Sequence, residues 1–552
     1  MGIRSGGTVV IVGGVAGGAS CAARLRRLRE DLRILLVDRG PHVSFANCGL
    51  PYFVGQVIVD EAKLLMAKPE LFRDRFNIEV RTRTEAGGID RAAKTLRLTD
   101  LETGAIDTVA YDALVLSPGA APIRPDLPGA DLPGIFTVRS IPDTRAIRSW
   151  IDQHQTGTAL VVGGGFIGLE MAENLRHRGL EVILLERNAQ VMAPLDPEMA
   201  APVAQRLRQH GIQLRFSETL TGFRPENGRL AAVLADGQTI ATDLVILALG
   251  VRPETRLAVE AGLPLGNRGG IAVDDQQRTI DPAIWAVGDA TEARDVVLGQ
   301  DVVLPLAGPA NRQGRIAADA IAGRPTTFRG VQATAICGVF GLQAACTGAS
   351  EKALARAGIT DATAVHLHPG SHASYYPGAK PIHLKVIFRP SDGRLLGAQA
   401  VGEDGVDKRI DAIAMAIQLG GTIDDLAEAE LCYAPQFGAA KDPVNLAGMI
   451  AQNIRNGDLP QASWTDPGPD LLDVRDPMEI AKNPLPGATA IPLNDLRRRY
   501  QELPADRTWS VACAAGQRAS FAVRFLNQHG YRAAMLPGGM ITRTNAATKA
   551  ST

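Results

Sequence analysis

The chain has 552 residues, of which 45% are hydrophobic and 21% charged, with a net charge of -1 and a pI near 6.8. That length holds several packed cores, the apolar fraction excludes a disordered chain, and the near-neutral charge excludes electrostatic capture by nucleic acid or an anionic membrane. Six scattered cysteines without a CxxC pair argue against a disulfide framework or zinc site, and no run of ~18 apolar residues occurs, so a cytoplasmic protein without a metal is expected.

The first elements, VVIVGGVAGGASCAARLRR and RILLVD, read as strand, glycine turn, amphipathic helix and strand, a dinucleotide-binding unit. Gly13, Gly14, Ala16, Gly17 and Gly18 build the turn, and Asp38 stands where a carboxylate binds ribose hydroxyls. Val15 occupies the middle-glycine position, so Gly17 is expected to supply the clearance for a pyrophosphate. HVSFANCGLPYFVG follows and places Cys48 in a turn or helix start, flanked by the substrate-contact candidates Ser44 and Asn47. Unpaired N-H groups at a helix N-terminus stabilise a thiolate, so a lowered pKa is expected for Cys48. His42, nearby, is read as a loop residue.

The pattern then repeats in ALVVGGGFIGLEMAENLRHRGLEVILLER, with a full GxGxxG at Gly163, Gly165 and Gly168 and a closing Glu186. A carboxylate there accepts from a free ribose 2'-OH and favours NADH; Arg187 beside it leaves NADPH open. Two units imply two dinucleotides, a flavin and a nicotinamide, in an order these residues alone leave undecided. YDALVLSPGA, DLVILALGVRP and IWAVGDA, which ends in Asp289 and Ala290, punctuate the rest of this region. Further on, ASYYPGA offers Tyr375 and Tyr376, and LCYAPQFGAAKDPVNLAG offers Tyr433 and Lys441. His366, His368, His372 and His383 lack a neighbouring pattern that would complete a metal site. A linker is expected at 452–466, before LLDVRDPMEI and the loop CAAGQRAS, in which Cys513 leaves a buried strand and opens a helix. Successive N-H groups and Arg518 would there surround a sulfur anion.

The punctuating motifs resemble those of the two-dinucleotide flavoprotein disulfide reductases over residues 8 to 450. The resemblance implies an α/β fold with two Rossmann-like domains: an FAD-binding domain over 1–118 and 246–325, and an NAD(P)H-binding domain over 119–245. An α+β dimerisation domain over 326–451 and a homodimer are implied with them. Asp289 would then bond the flavin ribityl chain. Dithiol members carry a second cysteine where this chain has Phe53, so the oxidised partner of Cys48 comes from outside or is a sulfenic acid.

SFANCGLPY is similar to the coenzyme A-disulfide reductase branch, in which the cysteine cycles as a mixed disulfide with CoA. Ala16 replaces the His common in the peroxidase and oxidase branch. Tyr433 and Lys441 match the branch's Tyr and Lys positions; the resemblance implies that Tyr433, with Tyr375 or Tyr376, reaches the partner subunit's site and stabilises or protonates the leaving thiolate, and that Lys441 is a contact for CoA or the persulfide. Arg24, with Arg73 or Arg75, is a candidate for the CoA phosphates. Residues 467–545 resemble a rhodanese-like α/β domain, whose loop cysteine carries sulfane sulfur. The whole resembles the fusions of CoA-disulfide reductase with rhodanese, the NADH-dependent persulfide reductases. An enzyme that uses FAD, NADH and coenzyme A on small persulfides, polysulfides or CoA disulfide is expected. The alternatives are an NADH oxidase or peroxidase using a Cys48 sulfenic acid, and a flavin-binding redox sensor.

Overall fold

In the computed structural model, which describes residues 3–154 and 156–547, the strand Thr8–Val12 lies between Arg33–Val37 and Ala113–Leu116 in a parallel sheet. Ile284–Ala286 and Glu79–Arg81 form its edges. The near-continuous apolar runs follow from burial on both faces: Val9, Ile11 and Val115 pack with the helix Ala16–Leu28, and Val10, Leu35 and Leu114 pack on the other side. A second parallel set repeats the plan with Thr158–Val162 between Glu181–Glu186 and Leu244–Leu247. Each central strand turns through glycines into a helix, Ala16–Leu28 or Phe166–His177. These elements form one compact unit, residues up to 187 together with 218–331.

The second unit comprises 188–217 and 332 onward. Its first part is an antiparallel sheet ordered Ala335–Val339, Leu342–Gly348, Leu395–Gly402, Ile382–Phe388, Thr363–Leu367, with the helices Val406–Gln418 and Pro443–Arg455. Within the segment 188–217, the residues around Asp196 pack against this sheet. The buried Asp196 accepts from Gln399 Nε2 at 2.6 Å and from Lys385 Nζ at 2.8 Å.

A four-stranded parallel sheet, ordered Thr489–Ala490, Leu471–Asp473, Thr508–Ala512, Arg532–Met535, forms the C-terminal part. The stretch expected as a linker is ordered structure. The helix Pro443–Arg455 runs into it, Leu459 is buried in the C-terminal core, and the Pro460 and Ala462 backbones pair with Met535. Trp464 Nε1 donates to Pro537 O at 2.8 Å. A polar, Pro-containing composition concealed an added edge segment that satisfies backbone groups of Met535. Among the described residues no helix is long and apolar enough to cross a membrane.

Candidate active site

The two glycine turns are built alike at their ends. Gly13 (φ +95°) and Gly163 (φ +111°) adopt a backbone that favours glycine, and a Cβ at either would lie 2.0 Å from Ser117 O or 2.3 Å from Ala248 O. At Gly18 and Gly168 an added Cβ would approach the first glycine's carbonyl to 1.9 Å in each case. Their middles differ. A Cβ on Gly165 would meet nothing within 4 Å, so no protein contact requires this glycine, and its bareness leaves the turn open to a ligand's phosphates. Gly17 has a packing reason instead: its Cβ would meet Val287 at 2.9 Å and Ser117 Oγ at 3.0 Å.

Both turns are tied to the acid that ends the next strand. Gly14 N donates to Asp38 Oδ2 at 2.8 Å, and Gly164 N donates to Glu186 Oε2 at 2.7 Å. Burial pushes Asp38 above the ordinary carboxylate range against the bonds from Gly14 and Gly40. Asp289 sits in the 3-10 turn Gly288–Ala290, where Gly288 N donates to Gln313 Oε1 at 2.8 Å. Its pKa is raised by burial and opposed by Arg139.

The loop bearing Cys48 is fastened to the first turn, with Ser44 N donating to Gly14 O at 2.7 Å. Cys48 is exposed, like Asn47, and lies in the 3-10 turn Asn47–Gly49 ahead of the short helix Leu50–Val54. The expected depression of its pKa is reversed. Partial burial of the thiol raises it first, and the carboxylates of Glu170 and Asp289 raise it further. One turn of 3-10 helix and five helical residues supply too small a dipole to outweigh these effects. Glu170, on the helix Phe166–His177, is itself pushed up to about 7 by burial, and Tyr52 Oη donates to its Oε1 at 3.4 Å.

Beside this loop is a cavity of about 400 Å³ lined by Arg24, Arg27, Arg315 and Ser44, with Phe72 and Phe76 as apolar wall. Arg24 is paired with Asp319 at 2.8 Å, whereas Arg27 and Arg315 are in no ion pair among the described residues. Of the other candidate cations, Arg73 pairs with its neighbour Asp74, and Arg75 lines a separate hollow along the helix Pro69–Phe76.

In the second unit, Tyr375 and Tyr433 are exposed and bonded hydroxyl to hydroxyl at 2.8 Å; this bond raises the pKa of Tyr375. Tyr376 is exposed too but packs edge-on against His372, so it is Tyr375 that joins Tyr433. Lys441 is exposed in the turn ahead of the helix Pro443–Arg455. His366 bonds Glu198 at 3.1 Å, and His368 bonds His383 at 2.8 Å between their Nδ1 atoms. Asp196, Glu198 and Glu351 are spaced to hold a cation, and the Lys385 ammonium reaches all three at 2.5 to 2.8 Å.

Cys513 directly follows the strand Thr508–Ala512 and is 1% exposed. Its Sγ accepts from Gly516 N at 3.1 Å, at a residue whose φ of +94° turns the loop. From behind, Met540 N donates to Cys513 O at 2.8 Å. Arg518 opens the helix Gln517–Gln528 within electrostatic reach of the sulfur, and its guanidinium forks onto Glu479 at 2.6 and 2.7 Å. The pairing lowers Glu479 to about 2.

Two parallel dinucleotide turns, an exposed cysteine loop on the first, and a buried cysteine loop on a separate sheet coincide with three family models. The pyridine nucleotide-disulphide oxidoreductase model matches residues 7–314, its dimerisation domain 334–442, and the rhodanese-like domain 458–541. The chain belongs to the pyridine nucleotide-disulphide oxidoreductases. A coenzyme A disulfide reductase of Staphylococcus haemolyticus is 35% identical over 447 residues, 81% of this chain and 99% of that protein. The crystal structure of reduced Bacillus anthracis CoADR-RHD superposes with a TM-score of 0.97 at 44% identity, over 100% of this chain and 99% of the other. The NAD-dependent persulfide reductase from A. fulgidus gives 0.91 at 36% identity, over 97% and 99%.

FAD and NAD(H) are the cofactors of this family of flavoprotein oxidoreductases. The residues fit them. The open position at Gly165 and the acid-tied backbone of both turns suit pyrophosphate and ribose groups, and the half-buried Asp289 suits a polar cofactor chain. Sequence reasoning missed Glu170, Arg27 and Arg315 in this oxidoreductase. Arg27 lies three residues after Arg24 on one helical face, a spacing that could have been read. Glu170 and Arg315 come from elements distant in sequence and carried no such signal.

Proposed function

We propose that the chain is an NADH-dependent FAD enzyme that reduces persulfides, polysulfides or CoA disulfide through Cys48, with Cys513 carrying sulfane sulfur. The observation that carries this reading is the adjacency of a single redox cysteine to a cavity with three arginines. Ser44, four residues before Cys48, lines that cavity with Arg24, Arg27 and Arg315. Guanidinium groups suit the phosphates of a nucleotide-bearing thiol, and Phe72 with Phe76 offers a wall for its base.

The thiolate of Cys48 attacks the inner sulfur of a CoA persulfide; a Cys48–CoA disulfide forms, the S–S bond of the persulfide breaks, and sulfide leaves. With CoA disulfide the same attack expels a CoA thiolate. Bound FAD supplies, from NADH, the electron pair that reopens the mixed disulfide. The Tyr375–Tyr433 pair donates a proton to the leaving sulfur without becoming charged beforehand. In this reading the pair serves the Cys48 site of a second copy, which the dimerisation domain brings up in a homodimer. Cys513, with Gly516 N-H and Arg518 about it, holds a persulfide. Glu186 favours NADH over NADPH, and six unpaired cysteines suit the reducing cytoplasm.

Sulfide release from CoA persulfide with NADH tests the assignment. Release should vanish in Cys48→Ser, and mass spectrometry of the native protein should find CoA on Cys48. A sulfenic acid there, with NADH oxidation that needs only oxygen, would replace this reading with the oxidase one.

A further inference from the structure

Two loops present the tyrosine pair, one over residues 370–380 and one over 430–442, and both are fastened to the start of one helix. Arg409, 1% exposed on the helix Val406–Gln418, donates through Nη2 to Ser371 O at 2.8 Å and to Asp442 Oδ2 at 2.8 Å. Its Nε reaches Asp442 Oδ1 at 3.3 Å, and its Nη1 reaches Gly405 O at 3.1 Å. Ser371 opens the Tyr375 loop, which it also closes through Lys380, and Asp442 ends the Tyr433 loop by capping the helix Pro443–Arg455. The preceding residue, Lys408, donates to Cys432 O and Phe437 O at 3.3 Å each, on either side of Tyr433. Ala373 N to Gly438 O at 2.8 Å joins the loops directly.

A buried Arg–Asp pair adds little stability over an apolar pair of similar size, because both charges lose their water. What an apolar pair lacks is a fork that addresses a carbonyl of one loop and a carboxylate of the other at once. We propose that Lys408 and Arg409 are positioning residues that set Tyr375 and Tyr433 in hydrogen-bond register for proton donation. The proposal rests on the assigned role of the tyrosines, and its test separates the two. Neither cation touches a reacting atom; both act through the loops. A misplacement of ~1 Å in a proton donor costs up to 10²-fold in rate.

The test uses the full-length holoenzyme with NADH and CoA disulfide. Arg409→Gln should lower kcat by about tenfold and leave the KM for NADH and the rate of flavin bleaching by NADH unchanged. A second readout is the ultraviolet titration of Tyr375, isolated as the difference from Tyr375→Phe. Its bond to Tyr433 raises its pKa, so its midpoint should fall in Arg409→Gln by as much as in Tyr433→Phe. An unchanged midpoint, or an unchanged kcat where Tyr433→Phe lowers it, overturns the positioning role. Should Arg409→Gln fail to fold, Lys408→Met at the half-exposed neighbour carries the test. It should lower kcat by about threefold and the midpoint by a smaller step, and parental values for both overturn the proposal. If Tyr433→Phe itself retains full kcat while its midpoint falls, the assigned role of the tyrosines fails and the clip stands.

Discussion

Cys48 and Cys513 are both cysteines in glycine-containing turns just ahead of a helix, and they sit in opposite environments. Cys48 is exposed, precedes only a short helix, and has its pKa raised by partial burial of the thiol and then by the carboxylates of Glu170 and Asp289. Cys513 is buried, accepts an N-H from Gly516, and has the guanidinium of Arg518 in reach. The difference teaches that similar local motifs can present a cysteine, while the elements packed around it set its exposure and its electrostatic surroundings. An open thiol suits exchange with a diffusible disulfide, and an enclosed sulfur with N-H donors suits storage of an anionic sulfur atom.

The sharpest way to break this division is to remove each sulfur. Cys48→Ser should lower NADH-driven CoA disulfide reduction by about 10³-fold or more and leave sulfur transfer from thiosulfate to cyanide intact; Cys513→Ser should do the reverse. Loss of both activities in either variant would show one shared centre. A smaller effect is expected at Arg518→Met, which removes the charge near Cys513 and frees Glu479. Sulfur transfer should fall about tenfold with disulfide reduction unchanged, and equal losses in both would end the idea of separate environments.

The smallest effect concerns Glu170. Its carboxyl titrates near 7, so above that pH its charge opposes the Cys48 thiolate, and below it the neutral acid does not. Glu170→Gln should therefore speed alkylation of Cys48 by iodoacetamide about two- to threefold at pH 8 and leave it unchanged at pH 5.5. An equal change at both values would point to altered access instead of charge.

Much of this site was readable along the chain. The repeated strand, glycine turn and helix located Gly13, Gly18, Gly163 and Gly168, because their constraint is local: a tight turn, and a helix laid against its own strand. Phe53, where a second cysteine would stand, likewise spoke against an internal disulfide at Cys48. The use of Gly17 was not readable, since its missing Cβ answers to Val287 and Ser117, residues far away in sequence. The same holds for the stretch 452–466, whose loop-like composition is paired with Met535.

By itself the sequence determined the α/β plan, the two nucleotide turns and the placing of Cys48 and Cys513 in turns ahead of helices, because periodicity and turn chemistry act over a few residues. Only the tertiary structure decided the direction of the Cys48 pKa, the gathering of Arg24, Arg27 and Arg315 about one cavity, and the pairing of Tyr375 with Tyr433. Charge and hydrogen-bond geometry act through space over a few ångströms, and the groups that act on each of these residues come from elements tens to hundreds of positions away.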